Sequence, residues 1–163
     1  MRSWIAGLAA ALLLVAGCDE QRAAKLEEGV STEADVRKQF GEPVDIYEHA
    51  DGSRTLDYPR QPEGQSNYFI TIGADGRMTA LRQLLNAANF AKVQAGMSGE
   101  EVRKILSRPG KVTPFALKQQ EVWDWRWRDG QANKVFSVTF DAQGRVVASA
   151  SRDDPRDTQI GGK

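Results

Sequence analysis

The apolar and polar positions of this chain form a pattern that occurs twice, with an offset of about 67 residues. Matching segments follow one another in the same order in both copies. They include Leu56-Asp57-Tyr58 with Trp123-Asp124-Trp125, and Ile70-Thr71-Ile72 with Val138-Thr139-Phe140. Agreement in order over this length indicates a tandem duplication. We therefore predict two modules of one fold, over residues 18–85 and 86–152.

A short polar helix is predicted at the start of each module. It lies near residues 20–28 in the first module and near residues 86–95 in the second. Gly29 and Gly96 are expected to form the C-terminal caps of these helices, because glycine readily adopts the left-handed conformation that such caps use.

A second, amphipathic helix is predicted to follow in each module. Thr32 and Ser98 are the expected N-caps, and an acidic residue stands three positions after each of them. This is the spacing of a capping box. Pro43 and Pro109 mark the ends of these helices, since proline cannot continue the hydrogen-bonded backbone.

Four short strands are predicted after the helices of each module. In the first module, Asp51-Gly52 is a two-residue hairpin signal between segments 44–50 and 53–58. The predicted fold class is α+β, with two tandem modules that each have two helices packed on a four-stranded antiparallel sheet. The polar segment 153–163 is predicted to be a disordered tail.

Residues 1–17 have the features of an export signal peptide. Arg2 supplies a positive start, and the apolar run over residues 5–15 is too short to span a bilayer. The segment Val15-Ala16-Gly17-Cys18 resembles the bacterial lipobox. That resemblance implies cleavage before Cys18 and acylation of its sulfur.

Cys18 is the only cysteine of the chain, so no disulfide can form within it. A covalent lipid on Cys18 is expected to hold the protein at a membrane, because each buried methylene contributes about 0.8 kcal/mol. No other cofactor is expected. Basic and acidic residues balance at 22 each, which gives no electrostatic reason to expect nucleic-acid binding.

Three tryptophans at alternate positions are the most informative feature of the second module. Trp123, Trp125 and Trp127 fall on one face of a strand, and charged residues fall on the other. The tryptophans either pack in the core beneath the second helix or form an exposed recognition platform, since aromatic residues are enriched at binding hot spots. On either interpretation the charged face is expected to be open. The candidate binding residues are Phe115, Trp123, Asp124, Trp125, Arg126, Trp127 and Arg128.

Catalytic and metal-binding patterns are weak in this sequence. His49 is the only histidine and lies beside the predicted hairpin turn, with Glu48 and Asp51 nearby. A metal site or a general base needs further converging side chains. His49 is therefore interpreted as a solvated turn residue, and we expect neither a metal site nor an enzymatic activity.

The second module resembles the SmpA/OmlA (BamE-like) family of small envelope lipoproteins. The residues that carry the resemblance are Lys92-Val93-Gln94-Ala95-Gly96-Met97-Ser98, Val102, Leu106, Pro109, Pro114-Phe115, Val122 to Trp127, and Ser137 to Phe140 with Gly144. The first module matches more weakly, with Leu56 and Tyr58 in place of two tryptophans. The tandem arrangement is similar to that of the β-lactamase-inhibitor proteins, which bind an enzyme with a concave double sheet.

The resemblance implies a non-enzymatic, protein-binding role at the cell envelope, facing the periplasm. One hypothesis is a scaffold that docks onto envelope proteins such as the β-barrel assembly machinery. The alternative is a lipid-tethered module that inhibits or binds a periplasmic enzyme. The family implies the outer membrane, whereas Asp19 resembles an inner-membrane retention signal in the second mature position. Both placements remain open at this stage.

Overall fold

The computed structural model describes residues 18–159. The predicted signal peptide, residues 1–17, lies outside the described residues. In chain order the elements are α1 (Cys18–Ala23), α2 (Glu33–Phe40), β1 (Asp45–Glu48), β2 (Arg54–Pro59), β3 (Asn67–Ile72), β4 (Met78–Gln83), α3 (Ala87–Phe90), α4 (Gly99–Leu106), β5 (Lys111–Phe115), a 3₁₀ turn (Ala116–Lys118), β6 (Gln120–Asp129), β7 (Ala132–Phe140), β8 (Val146–Asp153) and α5 (Pro155–Gln159).

The strands form two separate four-stranded antiparallel sheets, one in each module. Their orders are β1-β2-β3-β4, called sheet 1, and β5-β6-β7-β8, called sheet 2. Each sheet is a meander in which neighbours in sequence are neighbours in space. The predicted α+β class with two tandem modules is confirmed. Among the described residues, no helix is long and apolar enough to cross a bilayer.

The second helix of each module begins at the predicted cap. The hydroxyl of Thr32 accepts from the backbone N–H of Asp35 at 3.3 Å, and the Asp35 carboxylate accepts from the Thr32 N–H at 2.9 Å. Ser98 and Glu101 make the same pair of bonds at 3.2 and 2.7 Å. Both capping boxes satisfy backbone donors that the first helical turn leaves unpaired.

The first helix of each module is shorter than predicted. α1 ends at Ala23 and α3 ends at Phe90, so Gly29 and Gly96 do not cap them. Both glycines do adopt positive φ angles, of 82° and 88°. Their N–H groups donate to the carbonyls that begin β4 and β8, at 2.7 and 2.8 Å. The glycines therefore turn the loop onto the last strand of the sheet.

Each module has its own apolar core between one helix and one face of its sheet. In the first module, Val36 and Phe40 of α2 pack on the sheet residues Leu56, Tyr58, Tyr68, Ile70, Ile72 and Met78. In the second module, Val102 and Leu106 of α4 pack on Trp123, Trp125, Trp127, Phe136, Val138, Phe140 and Val146. The face of each sheet that points away from its own core is called its outer face.

The second module docks on the outer face of sheet 1 with the C-terminal end of α4. Asn67 lies on that face and is fully buried. Its side-chain amide donates to the carbonyls of Leu106 at 2.8 Å and Arg108 at 3.1 Å. These carbonyls belong to the last residue of α4 and to a residue just after it, and they lack helical partners, so the amide satisfies them. Sheet 1 is thus covered by α2 on its inner face and by the end of α4 around Asn67 on its outer face.

The predicted disordered tail is wrong over residues 153–159. β8 continues to Asp153, and α5 follows from Pro155. Asp154 between them is only 1% exposed. Its N–H donates to the carbonyl of Asn133 at 3.0 Å, and its carboxylate binds the guanidinium of Arg126 at 2.7 Å. This buried ion pair, which a polar tail sequence does not reveal, fixes the segment on sheet 2.

Candidate binding surface

All three tryptophans of β6 lie in the core. Trp123, Trp125 and Trp127 are 8%, 0% and 6% exposed. The indole N–H of Trp125 donates to the Ser107 carbonyl at 3.3 Å, and that of Trp127 donates to the Ser151 hydroxyl at 3.0 Å. These bonds satisfy the polar edge of each ring, as buried tryptophans require.

The neighbours of the tryptophans confirm their packing role. Phe90 stacks on Phe136 with ring centroids 4.1 Å apart and meets Trp127 edge-on at 4.9 Å. The guanidinium of Arg103 lies 4.7 Å from the Trp123 ring centroid. Of the two interpretations of the three tryptophans, the structure therefore supports packing in the core. An exposed aromatic platform is absent from the described part of β6.

The outer face of sheet 2 carries the charged residues that alternate with the tryptophans. Strand register places the following residues on this face: Lys111, Thr113, Phe115, Val122, Asp124, Arg126, Arg128, Asn133, Val135, Ser137, Thr139, Ala148, Ala150 and Arg152. Four of the seven candidate residues from the sequence, Phe115, Asp124, Arg126 and Arg128, are therefore brought onto one surface. Their role in binding stays a prediction.

The expectation that the charged face is fully open is wrong at two positions. The side chains of Asp124 and Arg126 retain 16% and 20% exposure. Asp124 accepts from the Ser137 hydroxyl at 2.5 Å and pairs with Arg152 at 3.5 Å. Arg126 is held by Asp154. These groups are covered by the neighbouring strands and the ordered tail, whereas Arg128 is exposed.

A pocket of about 380 Å³ opens on the outer face of sheet 2. The first module forms one wall of the pocket, because the side-chain amide of Gln61 bonds to the backbone of Arg126. Its N–H donates to the Arg126 carbonyl at 2.7 Å, and its oxygen accepts from the Arg126 N–H at 3.0 Å. The pocket is lined by four basic residues, Lys111, Arg126, Arg152 and Arg156, and by two acidic residues, Asp124 and Asp154. The pocket therefore has an excess of positive charge.

The equivalent surface of sheet 1 is occupied by the second module. Asp57 is the counterpart of Asp124, and it is only 1% exposed. Its carboxylate accepts from the Ser107 hydroxyl at 2.5 Å, and the Tyr47 hydroxyl lies at 3.4 Å. Burial raises the pKa of Asp57 to about 6, although the Ser107 hydrogen bond opposes this shift. The region around Asp57 on sheet 1 is covered, whereas the matching region around Asp124 on sheet 2 lines a pocket.

Exposed apolar side chains lie on β5 and in the turn after it. Val112 and Phe115 are each 46% exposed, and Leu117 is fully exposed. Phe115 was a candidate from the sequence. Leu117 is not among the candidates from the sequence.

The remaining candidates lie elsewhere. His49 is exposed in the turn between β1 and β2, and its Nε2 atom lies 2.8 Å from the Thr55 hydroxyl. Residues 18–159 contain no group of three side chains suited to hold a metal ion. Cys18 begins α1. The Asp19 carboxylate pairs with Arg22 at 3.1 Å and with Arg60 at 3.2 Å.

Comparison with known proteins does not assign the chain to a family. Neither a protein-family model nor a curated protein matches it. Among solved structures, a protein described as an osmotically inducible lipoprotein, OsmE, is 22% identical with a TM-score of 0.38; the match covers 49% of this chain and 92% of that one. A protein from Streptococcus mutans that is described as a β-lactamase inhibitor protein is 10% identical with a TM-score of 0.35, over 83% and 95% of the two chains. A DUF4309 family protein, YjgB, from Bacillus subtilis is 18% identical with a TM-score of 0.34, over 82% and 86%.

Proposed function

We propose that this chain is a lipid-anchored protein of the cell envelope that binds another protein through the outer face of sheet 2. The observation that carries the proposal is the difference between the two modules. They share one fold, yet the end of α4 covers the outer face of sheet 1 around Asn67 and Asp57, whereas the corresponding region of sheet 2, around Val135 and Asp124, lines a pocket. The fold thus already uses this surface once to hold a protein segment.

The composition of the open surface indicates the kind of partner. Where sheet 1 has Asn67 to bond the end of a helix, sheet 2 has the apolar Val135 at the corresponding position. Basic side chains line the pocket around Val135, which is 5% exposed, and the exposed Phe115 lies on the same outer face at the other end of β5. A mixed apolar and basic surface suits a partner with an acidic rim around an apolar contact.

Catalysis is not part of this proposal. The single histidine contacts one threonine hydroxyl on an exposed turn, and the ion pairs of the pocket join groups of opposite charge. Paired charges of this kind stabilise structure and orient a surface. A reacting group in a hydrolase instead needs a base that a third group orients.

The resemblance to the SmpA/OmlA family supports a specific partner and location. We propose a subunit of the β-barrel assembly machinery as the partner, with the lipid on Cys18 placing the pocket in the periplasm. The family favours the outer membrane. Asp19 favours the inner membrane, but its carboxylate is engaged by Arg22 and Arg60 in the fold. We therefore propose the outer membrane.

Site-specific photocrosslinking in intact cells tests this proposal. A photoreactive residue at Thr113, on the outer face of sheet 2, is expected to form an adduct that contains a β-barrel assembly subunit. The matched control places the same residue at Lys38, which is exposed on α2 away from that face. An adduct with a periplasmic enzyme instead would support the inhibitory alternative. Equal adducts from both positions, or none from Thr113, would contradict binding at this face.

Charge reversal supplies a second arm of the experiment. Lys111 is exposed at the mouth of the pocket, so Lys111→Glu is expected to reduce the adduct formed from Thr113. Lys38→Glu makes the same charge change outside the surface and is expected to leave the adduct unchanged. An equal loss with both variants would mean that net charge, rather than this surface, governs the association.

A further inference from the structure

The last strand of sheet 2 forms an unpaired edge. β8 has eight residues and pairs with β7 on one side; no other strand within residues 18–159 pairs with it. The N–H and C=O groups on the free side of an edge strand point away from the sheet and are available to another strand. Proteins usually block such edges with charged side chains, prolines or covering segments.

The corresponding strand of sheet 1 is closed by a side chain. The carboxylate of Glu28 accepts from the outward N–H of Leu81 in β4 at 3.0 Å, and Arg82 forms an ion pair with the same carboxylate. Glu28 precedes Gly29, whose N–H fixes the loop at the start of β4. The carboxylate therefore occupies the place that a further strand would take.

Strand register identifies the matching position in sheet 2. Leu81 lies opposite Ile70 in sheet 1, and Ser149 lies opposite Val138 in sheet 2. Because Ile70 and Val138 are equivalent in the two copies, Ser149 is the counterpart of Leu81. Its N–H points to the free side of β8, as that of Leu81 points to the free side of β4.

The closing carboxylate is missing in the second module. Gly96 fixes its loop on β8 as Gly29 does on β4, with its N–H donating to the Val146 carbonyl at 2.8 Å. The residue before Gly96 is Ala95, which stands where the first module has Glu28. A methyl group accepts no hydrogen bond. The edge of β8 is therefore open from Ser149 onward.

The side chains of β8 leave this edge accessible. Ala148, Ser149, Ala150 and Ser151 are small and exposed, and β8 contains neither proline nor lysine. The other free edges are blocked in ways that proteins commonly use. β5 contains a lysine and a proline, and β1 begins and ends with an acidic residue.

We propose that β8 is a strand-pairing site for a second copy of this chain, so that two sheets join into one across a two-fold axis at Ala150. A two-fold interface must be self-complementary, because the same residues meet from both sides. The segment Ser149-Ala150-Ser151 reads the same in both directions. With Ala150 opposite Ala150, each Ser149 meets Ser151, and their outward backbone groups exchange hydrogen bonds.

The charges at the end of β8 agree with this register. Arg152 is brought opposite Ala148 of the second copy, and Asp153 is brought opposite Val147. No like charges face each other across the new pair of strands, which is where they would be most destabilising. The pairing uses backbone groups at the edge of β8, whereas the proposed partner binding uses side chains of the outer face, with Arg152 near both.

Disulfide trapping tests the proposal. Ala150→Cys is introduced into the full chain together with Cys18→Ser, which leaves a single thiol per molecule. Directly opposed Cβ atoms in an antiparallel pair lie about 4.5–5.5 Å apart, close to the separation that a disulfide needs. Mild oxidation is expected to shift the protein to twice the monomer mass. Arg82→Cys, at the corresponding position of the closed strand β4, is the matched control and is expected to remain monomeric.

Installing the missing carboxylate provides an independent arm. Ala95 is exposed, so Ala95→Glu is expected to fold, to close the edge as Glu28 does, and to abolish the trapped dimer. Ala95→Leu adds bulk without a hydrogen-bond acceptor, and the trapped dimer is expected to form as before. Sedimentation of the untrapped chain is expected to show dimer with alanine at position 95 and monomer in the Ala95→Glu variant. A monomeric parent chain, or trapping that is equal at positions 150 and 82, would overturn the proposal.

Discussion

The hydroxyl of Ser107 donates a hydrogen bond of 2.5 Å to the carboxylate of Asp57, across the boundary between the two modules. Ser107 follows the last residue of α4 and has a positive φ of 61°, which is uncommon for a residue with a side chain. Asp57 lies on the outer face of sheet 1 and is buried. This contact makes the stability of the docked pair sensitive to the protonation of one carboxyl group.

The pH dependence of unfolding is predicted to change in the variant Asp57→Asn. Burial raises the folded-state pKa of Asp57 to about 6, above the unfolded value of about 4. The folded protein therefore binds this proton more tightly, and the stability that the proton contributes is lost as the pH rises from about 4 through about 6. The free energy of unfolding is expected to fall by roughly 2–3 kcal/mol more in the parent chain than in Asp57→Asn over this range.

Urea unfolding at about pH 4 and about pH 7.5 measures this difference. Comparison with Asp57→Asn is needed because other carboxylates act in the opposite direction. The capping carboxylates Asp35 and Glu101 have pKa values lowered by their hydrogen bonds to the backbone, so they favour folding at higher pH. Parallel pH profiles for the two proteins would show that Asp57 is not the responsible group.

Local signals in the sequence were enough for most of the fold. The capping pair of Thr32 and Asp35 is separated by three residues, and it fixes the start of α2 wherever the rest of the chain lies. The alternation of Trp123, Trp125 and Trp127 likewise sets which face of β6 is apolar. Such patterns depend on neighbours in sequence, and this is why the α+β modules could be predicted.

The surfaces could not be predicted in the same way. Asp57 and Asp124 stand in matching tripeptides, yet one is buried beneath Ser107 and the other lines a pocket. The difference comes from a contact between residues that are 50 positions apart, which no local pattern encodes. The burial of Asp154 by Arg126 is of the same kind, and it explains why a polar tail is ordered.

Truncation of Trp127 is predicted to affect stability. The ring is 6% exposed and packs on Phe90, so Trp127→Ala is expected to lower the free energy of unfolding by about 3–5 kcal/mol. Leu117→Ala removes a fully exposed apolar side chain and is expected to change it by less than about 0.5 kcal/mol. Denaturant titrations of both variants provide the measurement. A Trp127→Ala protein as stable as the parent would contradict the core assignment.

Removal of the Gln61 side chain is predicted to loosen the docking of the two modules. Its amide exchanges two hydrogen bonds with the backbone of Arg126, at 2.7 and 3.0 Å, and Gln61→Ala leaves both backbone groups without that partner. The expected cost is about 1–3 kcal/mol. All tryptophans of the described residues lie in the second module, so their fluorescence reports that module alone.

The parent chain is expected to lose fluorescence and far-ultraviolet circular dichroism at the same denaturant concentration, since the docked modules unfold together. In Gln61→Ala the two transitions are expected to separate. Gln131→Ala, which removes an exposed amide from the turn between β6 and β7, is the control. Coincident transitions in Gln61→Ala would mean that other contacts, such as those of Asn67, suffice for cooperative unfolding.

Substitution of Cys18 is predicted to release the protein from the membrane. Acylation needs the sulfur, so Cys18→Ser is expected to abolish labelling by a radioactive fatty acid and to move the protein into the soluble periplasmic fraction. Asp19→Ser keeps the sulfur and tests the second mature position separately: it is expected to remain labelled and to stay in the outer-membrane fraction of a sucrose gradient. If the parent chain instead sediments with the inner membrane and Asp19→Ser moves to the outer membrane, Asp19 acts as a retention signal. In that case the ion pairs of Asp19 with Arg22 and Arg60 must open before sorting, because a carboxylate held by two guanidinium groups is not free to be recognised.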